Sequence, residues 1–285
     1  MQARELVRLA VMVFTAVTCV VIGDTAGKLL TAQGVAPIFV AWSRFGIAAV
    51  ILLPFSGLKR RELGQLADWR VVLRAIFIVC GICSILTALK TEPIADVFGA
   101  FFIGPIVSYV LAILFLGERP STQRSLLLAL GFAGVMLVVK PGFGATPGMG
   151  FALLAGIFYG AYLAMTRATA GAFRAGFLLI SQLLIGAVLL APLGLQIKLP
   201  EMSSFLIVLI AISALGSAAG NYLLVLANRS AEASLVAPLV YTQLVSATIL
   251  GVLVFGDWPD ALALVGLVLI AFSGLGSLVV QQRQG

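Results

Sequence analysis

The chain has 285 residues, of which 61% are hydrophobic and only 10% charged, and it carries a net charge of +7 with no histidine. Its mean hydropathy of +1.16 is too high for a water-soluble domain with an ordinary surface. We therefore expect an integral membrane protein, and we exclude soluble enzymes and nucleic-acid-binding proteins.

Ten apolar stretches, each long enough to cross a bilayer core of about 30 Å, follow one another with only short connections. Because no connection is long enough for a soluble domain, we predict an all-α integral membrane protein with ten transmembrane helices. The predicted spans are 8–29, 35–56, 69–89, 94–116, 122–140, 147–168, 174–195, 202–226, 233–255 and 260–281.

The distribution of Lys and Arg predicts how the spans are oriented, because cytoplasmic loops hold the excess of these residues. With the N-terminus inside, thirteen of the eighteen basic residues fall in cytoplasmic segments, and Arg74 is counted among them. Four lysines lie on the opposite side, and Arg44 is assigned to the interior of span two. We therefore predict that both termini are cytoplasmic.

One corner motif occurs twice, as "GERP" at 117–120 and as "GDWP" at 256–259, 139 residues apart. Five spans separate the corners, so they lie on opposite sides of the membrane. Arginines lie only in and after the first corner. At an offset of 138, "WSRFGIAAVILLP" (42–54) aligns with "ISQLLIGAVLLAP" (180–192). We predict two inverted five-helix repeats, residues 1–143 and 144–285.

Inverted repeats allow a carrier to open to either side of the membrane in turn, around a site near the midplane. Span four contains Gly99, Gly104 and Pro105, and span nine has Pro238 where the repeat aligns Gly99. We therefore expect both spans to bend beside the transport pathway. The alternative is that Gly and Pro are simply more common in membrane helices than in soluble ones.

The stretches "TEPIADVFGAFFIGPIVSYVLAILFLGERPS" and "RSAEASLVAPLVYTQLVSATILGVLVFGDWPD", together with "GDTAGK" in span one, resemble the drug/metabolite transporter superfamily with paired EamA repeats. Within that superfamily, these residues look most like those of bacterial amino-acid exporters of the YddG type. That resemblance implies export of aromatic and other neutral amino acids across a bacterial inner membrane. The chain departs from the pattern at Ile22, where many members have Trp, and at Asp257, where the corner usually has Glu.

Charged side chains inside a span are rare, because each costs at least about 2.5–3.5 kcal/mol at the centre of a span. Asp24 and Lys28 are four residues apart and share a helix face, and Arg44 and Asp96 also lie toward the external side. We predict that these four residues form an outer gate, whose ion pairs hold that side shut. The alternative is a permanent ion-pair network that locks spans one and two together.

Aromatic and small polar residues near the midplane suit a small, partly apolar solute. Phosphorylated solutes would need more buried cations, and without histidine we favour a facilitator over a proton-coupled carrier. The alternative for each aromatic residue is ordinary packing. The predicted substrate-binding residues are Phe98, Gly99, Phe102, Tyr159, Tyr162, Asn221, Tyr222, Pro238 and Tyr241.

We expect no enzymatic activity, no cofactor and no bound metal, because three cysteines without histidine give no metal-ligand set. The expected partners are a neutral or aromatic amino acid and membrane lipid, with no nucleic acid, and a monomer is compatible with the sequence. The alternatives are a channel, a lipid scramblase, or an exporter of other small solutes such as nucleobases or drugs.

Overall fold

A computed structural model describes residues 3–92, 94–139, 146–197, 201–256 and 258–284. Within these ranges every long regular element is a helix, which confirms the all-α prediction. Short 3-10 turns connect α2 to α3, and a π-helical turn, Gly251–Phe255, continues α11. The helices are α1 (Ala3–Ala32), α2 (Pro37–Leu52), α3 (Trp69–Thr91), α4 (Ile94–Phe101), α5 (Gly104–Leu116), α6 (Thr122–Val139), α7 (Pro147–Thr169), α8 (Ala175–Gly194), α9 (Ser204–Ser230), α10 (Ala233–Val240), α11 (Gln243–Leu250) and α12 (Ala261–Gln284).

Eight helical stretches of the described chain are long and apolar enough to cross a membrane, and they match eight of the ten predicted spans. The other two predicted spans contain shorter apolar helices, Thr122–Val138 and Ala261–Gly276. These helices agree with the prediction of a multi-pass membrane protein, while the count of ten spans and the side of the termini stay predictions.

Helices begin where the local sequence can satisfy the first free N–H groups. The Thr146 hydroxyl accepts a hydrogen bond from the Met149 N–H at 3.1 Å, and the Ser203 hydroxyl accepts one from the Leu206 N–H at 3.2 Å. Pro147 occupies the first turn of α7, where an N–H would have no partner within the helix. These caps fix the starts of α7 and α9.

The two corner motifs that predict the repeat share one backbone conformation. Gly117 follows α5 with a φ of 69°, and Gly256 follows the π-helical turn with a φ of 74°. This left-handed region favours glycine, because a Cβ would clash with the neighbouring backbone. The same residue type therefore ends the equivalent helix in both halves.

Both spans that were predicted to bend are interrupted by a two-residue turn, whose backbone angles stay close to helical. Span four divides into α4 and α5 at a turn that includes Phe102, and span nine divides into α10 and α11 at a turn that includes Tyr241. The breaks lie three residues after Gly99 and Pro238, and they are 139 residues apart. The repeat therefore extends to the position of the break.

The most extensive helix contacts of the described chain join the two predicted halves. α1 packs on α9, α3 on α7, α6 on α12 and α2 on α8. In the repeat, α1 corresponds to α7 and α3 to α9, so the α1–α9 contact corresponds to the α3–α7 contact. The α6–α12 and α2–α8 contacts each join a helix to its own counterpart, as a two-fold relation requires. Gly220 permits the α1–α9 contact, since a Cβ there would lie 2.5 Å from the Ala16 carbonyl oxygen. The predicted boundary between residues 143 and 144 lies outside the described residues.

Candidate functional site

A cavity of about 310 Å³ lies between α1, α4, α11 and the start of α12. Its wall includes Asp24 and Lys28 of α1, Phe98 of α4, and Phe255 and Trp258 beyond α11. The cavity reaches the end of the bundle where α1 terminates, which we call the open end. Its volume falls within the range of small-molecule sites, about 300–1,000 Å³.

Ion pairs between the two halves lie at the opposite end, which we call the ion-pair end. Each pair joins a residue of the first half to a residue of the second, so the pairs oppose separation of the halves there. The described pairs are Glu62–Arg174 at 2.8 Å, Arg124–Glu232 at 2.6 Å and Glu118–Arg167 at 3.6 Å.

Arg174 makes the most complete of these contacts. Its guanidinium donates to both Glu62 carboxylate oxygens, at 2.8 and 2.9 Å, and also to the carbonyl oxygens of Ser56 and Gly57. The hydrogen bonds from Arg174 lower the pKa of Glu62 from its ordinary 4.5 to about 2. Glu62 therefore stays ionised at neutral pH and holds the α2–α3 connection against the start of α8.

Asp24 and Arg44 form a buried ion pair between α1 and α2. Their side chains are 7% and 3% exposed, and Arg44 Nη1 lies 2.8 Å from Asp24 Oδ1. Arg44 also donates to the Ser213 hydroxyl on α9 and to the Gly23 carbonyl oxygen, both at 2.9 Å. Three helices are thereby held together beside the cavity, by a network whose two formal charges cancel.

The repeat places a second polar network at the equivalent position in the other half. Offsets of 138 and 139 carry Asp24 onto Tyr162, Arg44 onto Gln182 and Ser213 onto Arg74. The Tyr162 hydroxyl donates to Gln182 Oε1 at 3.1 Å, in place of the Asp24–Arg44 pair. The arginine of this second network lies on α3 and not on α8, the counterpart of α2.

Arg74 is fully buried, and the oxygens that accept its hydrogen bonds are all uncharged. It donates to the Thr166 hydroxyl at 2.8 Å, to the Leu178 carbonyl oxygen at 2.8 Å and to the Tyr162 hydroxyl at 2.9 Å. Its guanidinium also lies 4.6 Å from the centre of the Tyr162 ring. Within the described residues, no carboxylate compensates this charge.

A continuous row of aromatic rings connects the helix breaks to α7. Phe102 and Tyr241, the residues at the two breaks, meet edge to face with ring centres 5.8 Å apart. Phe102 stacks on Phe98 at 5.9 Å, and Tyr159 stacks on Tyr162 at 6.1 Å. Phe101 connects these two groups, since it contacts Phe98, Phe102 and Tyr159.

Several buried polar side-chain atoms have no hydrogen-bond partner among the described residues. They are the hydroxyl oxygens of Tyr159 and Tyr241, Asn221 Oδ1, and both amide atoms of Gln243. Burying such groups unsatisfied costs about 1–3 kcal/mol each. Buried groups of this kind in a protein that binds a solute are candidates to bind it when the helices rearrange.

Comparison with known proteins shows which family the chain belongs to. The model of the EamA-like transporter family matches residues 8–140 and, a second time, residues 146–279. The chain belongs to the EamA-like transporter family. It is therefore a multi-pass membrane transporter and not an enzyme, and the predicted superfamily resemblance is confirmed.

Named relatives of this EamA transporter carry small metabolites. The chain is 27% identical over 242 residues to the riboflavin transporter of Rhizobium johnstonii, covering 82% of this chain and 78% of that protein. It is 27% identical over 240 residues to the S-adenosylmethionine uptake transporter of Rickettsia bellii, covering 81% and 80%. A crystal structure matches with a TM-score of 0.78 over 99% of both chains at 16% identity, which supports the fold alone. Neither named relative is described as an amino-acid exporter.

The predicted gate residues of the EamA transporter are only partly brought together. Asp24 pairs with Arg44 and not with Lys28, whose ammonium lies 5.8 Å from the centre of the Phe255 ring. Asp96 lies in α4, but its side chain is outside the described residues. The gate itself stays a prediction.

The predicted substrate-binding residues divide into three groups. Phe98 lines the cavity, and Phe102, Tyr159, Tyr162 and Tyr241 form the buried aromatic row behind it. Asn221 borders a separate, nearly closed cavity of about 10 Å³ between Arg44 and Gln182. The remaining predicted residues do not line the main cavity: Gly99 is buried in α4, Pro238 lies within α10 and Tyr222 is half-buried.

The interpretation of Arg74 as a cytoplasmic loop residue, with Arg44 alone inside a span, is wrong. Arg74 lies more than one turn inside α3, and its side chain points inward toward α7 and α8. The position of Arg74 within predicted span 69–89 already indicated a location inside the membrane. The cavity residues Phe255 and Trp258 were also missed, because the sequence shows them only as the end of a span and a loop.

Proposed function

We propose that this chain is an alternating-access carrier for small neutral or zwitterionic metabolites that contain an apolar or aromatic group. The observation that carries the proposal is the cavity, which reaches one end of the bundle while ion pairs between the halves close the other. Aromatic and neutral amino acids are the first candidates. Their ring or side chain fits beside Phe98, and their two charges cancel like those of the Asp24–Arg44 pair.

The proposed arrangement has ten spans in two inverted halves in a bacterial inner membrane. Both termini and the ion-pair end lie in the cytoplasm, so the described state opens to the exterior. The excess of basic residues at the ion-pair end gives that end the character of a cytoplasmic face. The proposed direction of net transport is export.

The Asp24–Arg44 pair acts in this proposal as a lock between helices. The pair is formed and buried while the cavity beside it reaches the open end, so the ion pair is compatible with an open external side. Of the two predicted roles, this geometry favours the permanent network over the gate. Distance labels across the open end should therefore give the same spread of distances in Asp24→Asn as in the wild type.

A second candidate is uptake of a larger ring-containing metabolite. The named relatives favour it, since one is called a riboflavin transporter and another an S-adenosylmethionine uptake transporter. Both molecules carry an aromatic ring system that could occupy the same cavity.

Counterflow in proteoliposomes tests both candidates. Vesicles would be preloaded with unlabelled phenylalanine, threonine, leucine, glutamate, riboflavin or S-adenosylmethionine, with and without a pH gradient. We expect transient, saturable accumulation of the labelled neutral or aromatic amino acids, independent of the gradient. Accumulation of riboflavin or S-adenosylmethionine alone would favour the second candidate. Flux without saturation would indicate a channel, and no accumulation of any solute would overturn the proposal.

A further inference from the structure

In alternating access, a second cavity would open at the ion-pair end, and we call it the opposite-facing cavity. The repeat predicts its lining, because each residue that lines the open cavity has an equivalent in the other half. An offset of 138 carries the α1 residues Val21, Asp24 and Lys28 of the open cavity onto Tyr159, Tyr162 and Thr166 of α7. In the described state Tyr159 and Tyr162 are buried, and α4 and α5 cover Tyr159: the Phe101 ring lies 5.0 Å from the Tyr159 ring, and a Cβ at Gly104 would lie 3.5 Å from it. Separating α5 from α7 at the ion-pair end would uncover it.

Close packing of glycines joins α5 to α7 beside this face. A Cβ at Gly104 of α5 would lie 2.9 Å from the Gly156 carbonyl oxygen of α7, and a Cβ at Gly156 would lie 2.5 Å from the Phe101 carbonyl oxygen. The glycine contact itself contains no ion pair among the described residues, but Glu118, just after α5, pairs with Arg167 of α7 at 3.6 Å. Separating α5 from α7 therefore also requires this pair at the ion-pair end to separate.

Arg74 lies directly behind this face. Its hydrogen bonds reach Tyr162 and Thr166, two of the residues that the repeat assigns to the opposite-facing cavity. These bonds and the one to Leu178 use three of the five N–H groups of the guanidinium. The Tyr159 hydroxyl, one turn away along α7, has no partner within the described chain.

The charges of the two cavities therefore differ. The wall of the open cavity includes Asp24, which is paired with Arg44 behind it, whereas the opposite-facing cavity would adjoin an arginine whose described partners are all neutral. A buried guanidinium with free N–H groups is a strong site for a carboxylate, which it binds through short charge-assisted hydrogen bonds. One cation matches one carboxylate better than a phosphate dianion.

We infer that Arg74 binds the carboxylate of the transported solute when the ion-pair end is open, with the Tyr159 hydroxyl as a second donor. This inference rests on the proposed alternating access, and it narrows the solutes to those with a carboxylate beside an apolar group. Arg74 then determines specificity for a carboxylate on one side of the membrane, whereas on the opposite side the equivalent network is already neutralised by Asp24.

Calorimetric titration of the purified protein tests the inference without relying on transport. The probes are 3-phenylpropionate and 3-phenylpropionamide, which differ only in the replacement of the carboxylate by a neutral amide. We expect the wild type to bind the carboxylate at least about tenfold more tightly than the amide. Equal binding, tighter binding of the amide, or no binding of the carboxylate would overturn the inference.

Variants separate a binding role from a structural one. Arg74→Gln should bind the two probes equally, while Arg74→Lys keeps the charge and should retain part of the preference. Tyr159→Phe should weaken binding of the carboxylate several-fold. The matched control is Arg70→Gln, which removes an arginine one turn earlier on α3 that pairs with Asp68, and it should leave the preference unchanged. A preference that survives in Arg74→Gln would assign Arg74 a purely structural role.

The counterflow experiment keeps the two proposals distinguishable. If counterflow occurs but the wild type shows no preference for the carboxylate, the carrier stands and the role of Arg74 falls. If the preference is present but no solute exchanges, Arg74 is an anion site in a protein that does not act as the proposed carrier.

Discussion

The Arg44 and Arg74 networks lie at equivalent positions of the two halves, and they differ mainly in charge. In the first, Asp24 neutralises the arginine, whereas in the second Tyr162 occupies the position of the acid and the positive charge remains. The backbone breaks, corners and helix pairs follow the repeat closely in the same two regions. An inverted repeat can therefore keep one scaffold while its two faces acquire different electrostatics.

The largest effect should appear when the arginine of each network is removed. Arg44→Gln leaves the Asp24 carboxylate buried without its cation, which costs about 3–5 kcal/mol of stability. Arg74→Gln leaves only neutral acceptors without donors, which costs about 1–3 kcal/mol. Thermal unfolding in detergent should therefore show the larger loss for Arg44→Gln.

The double variant Asp24→Asn/Arg44→Gln is the control for that comparison, since it removes both charges and should recover part of the loss. A larger loss for Arg74→Gln than for Arg44→Gln would contradict the difference in charge between the two networks.

Adding an acid to the second network should make it resemble the first. Gln182→Glu changes no shape and places a carboxylate on the Tyr162 hydroxyl, next to Arg74. The new charge should compensate the guanidinium and reduce the preference for 3-phenylpropionate over the amide from about tenfold to nearly equal binding. Gln182→Met, which is neutral, should retain the preference. If both variants lose the preference for the carboxylate, altered packing is the cause.

The open cavity has an aromatic ring that its counterpart lacks. Phe98 of α4 lines the cavity, and an offset of 139 places Ala237 at the equivalent position of α10. Phe98→Ala should weaken binding of ring-containing solutes about fivefold, because an aromatic pair contributes about 0.5–1.5 kcal/mol beyond its buried area. Phe115→Ala, at a residue of α5 that is 76% exposed, serves as the control in titrations with phenylalanine and should leave its affinity unchanged.

The smallest effect concerns pH at the ion-pair end. Arg174 lowers the pKa of Glu62 from 4.5 to about 2 in the closed state, so protonation favours the open one. The contribution to closure is complete above pH 4.5 and is lost as the pH falls toward 2. It is small because solvent screens the pair at Arg174, whose side chain is 37% exposed. Distance labels across this end should show opening below pH 4.5, and Glu62→Gln should reduce the pH dependence in that window. A closed distribution that stays constant in the wild type would remove Glu62 from the account.

Local features of the fold could be predicted from the sequence because their causes are local. The corner glycines Gly117 and Gly256 appear within short motifs, and the breaks at Phe102 and Tyr241 follow Gly99 and Pro238 within one turn. The repeat then transfers each observation from one half to the other. These features need no knowledge of which helices pack together.

Charged contacts between helices could not be predicted in the same way. Asp24 and Lys28 have the spacing of a helical ion pair, but Arg44 of the neighbouring helix reaches Asp24 instead. Arg74 depends on Thr166, which is 92 residues away in sequence, and on the rotation of α3 that faces it inward. Counting basic residues by their distance from a span end cannot detect that rotation.

The most direct test of alternating access compares a residue of the open cavity with its counterpart in the covered one. Thr25→Cys and Leu163→Cys, 138 residues apart, would each be made after replacing the native cysteines 19, 80 and 83. A membrane-impermeant thiol reagent is then applied to right-side-out and to inside-out vesicles. The account predicts that Thr25→Cys reacts from one side and Leu163→Cys only from the other. Reaction of both from the same side, or no reaction of Leu163→Cys from either, would contradict it.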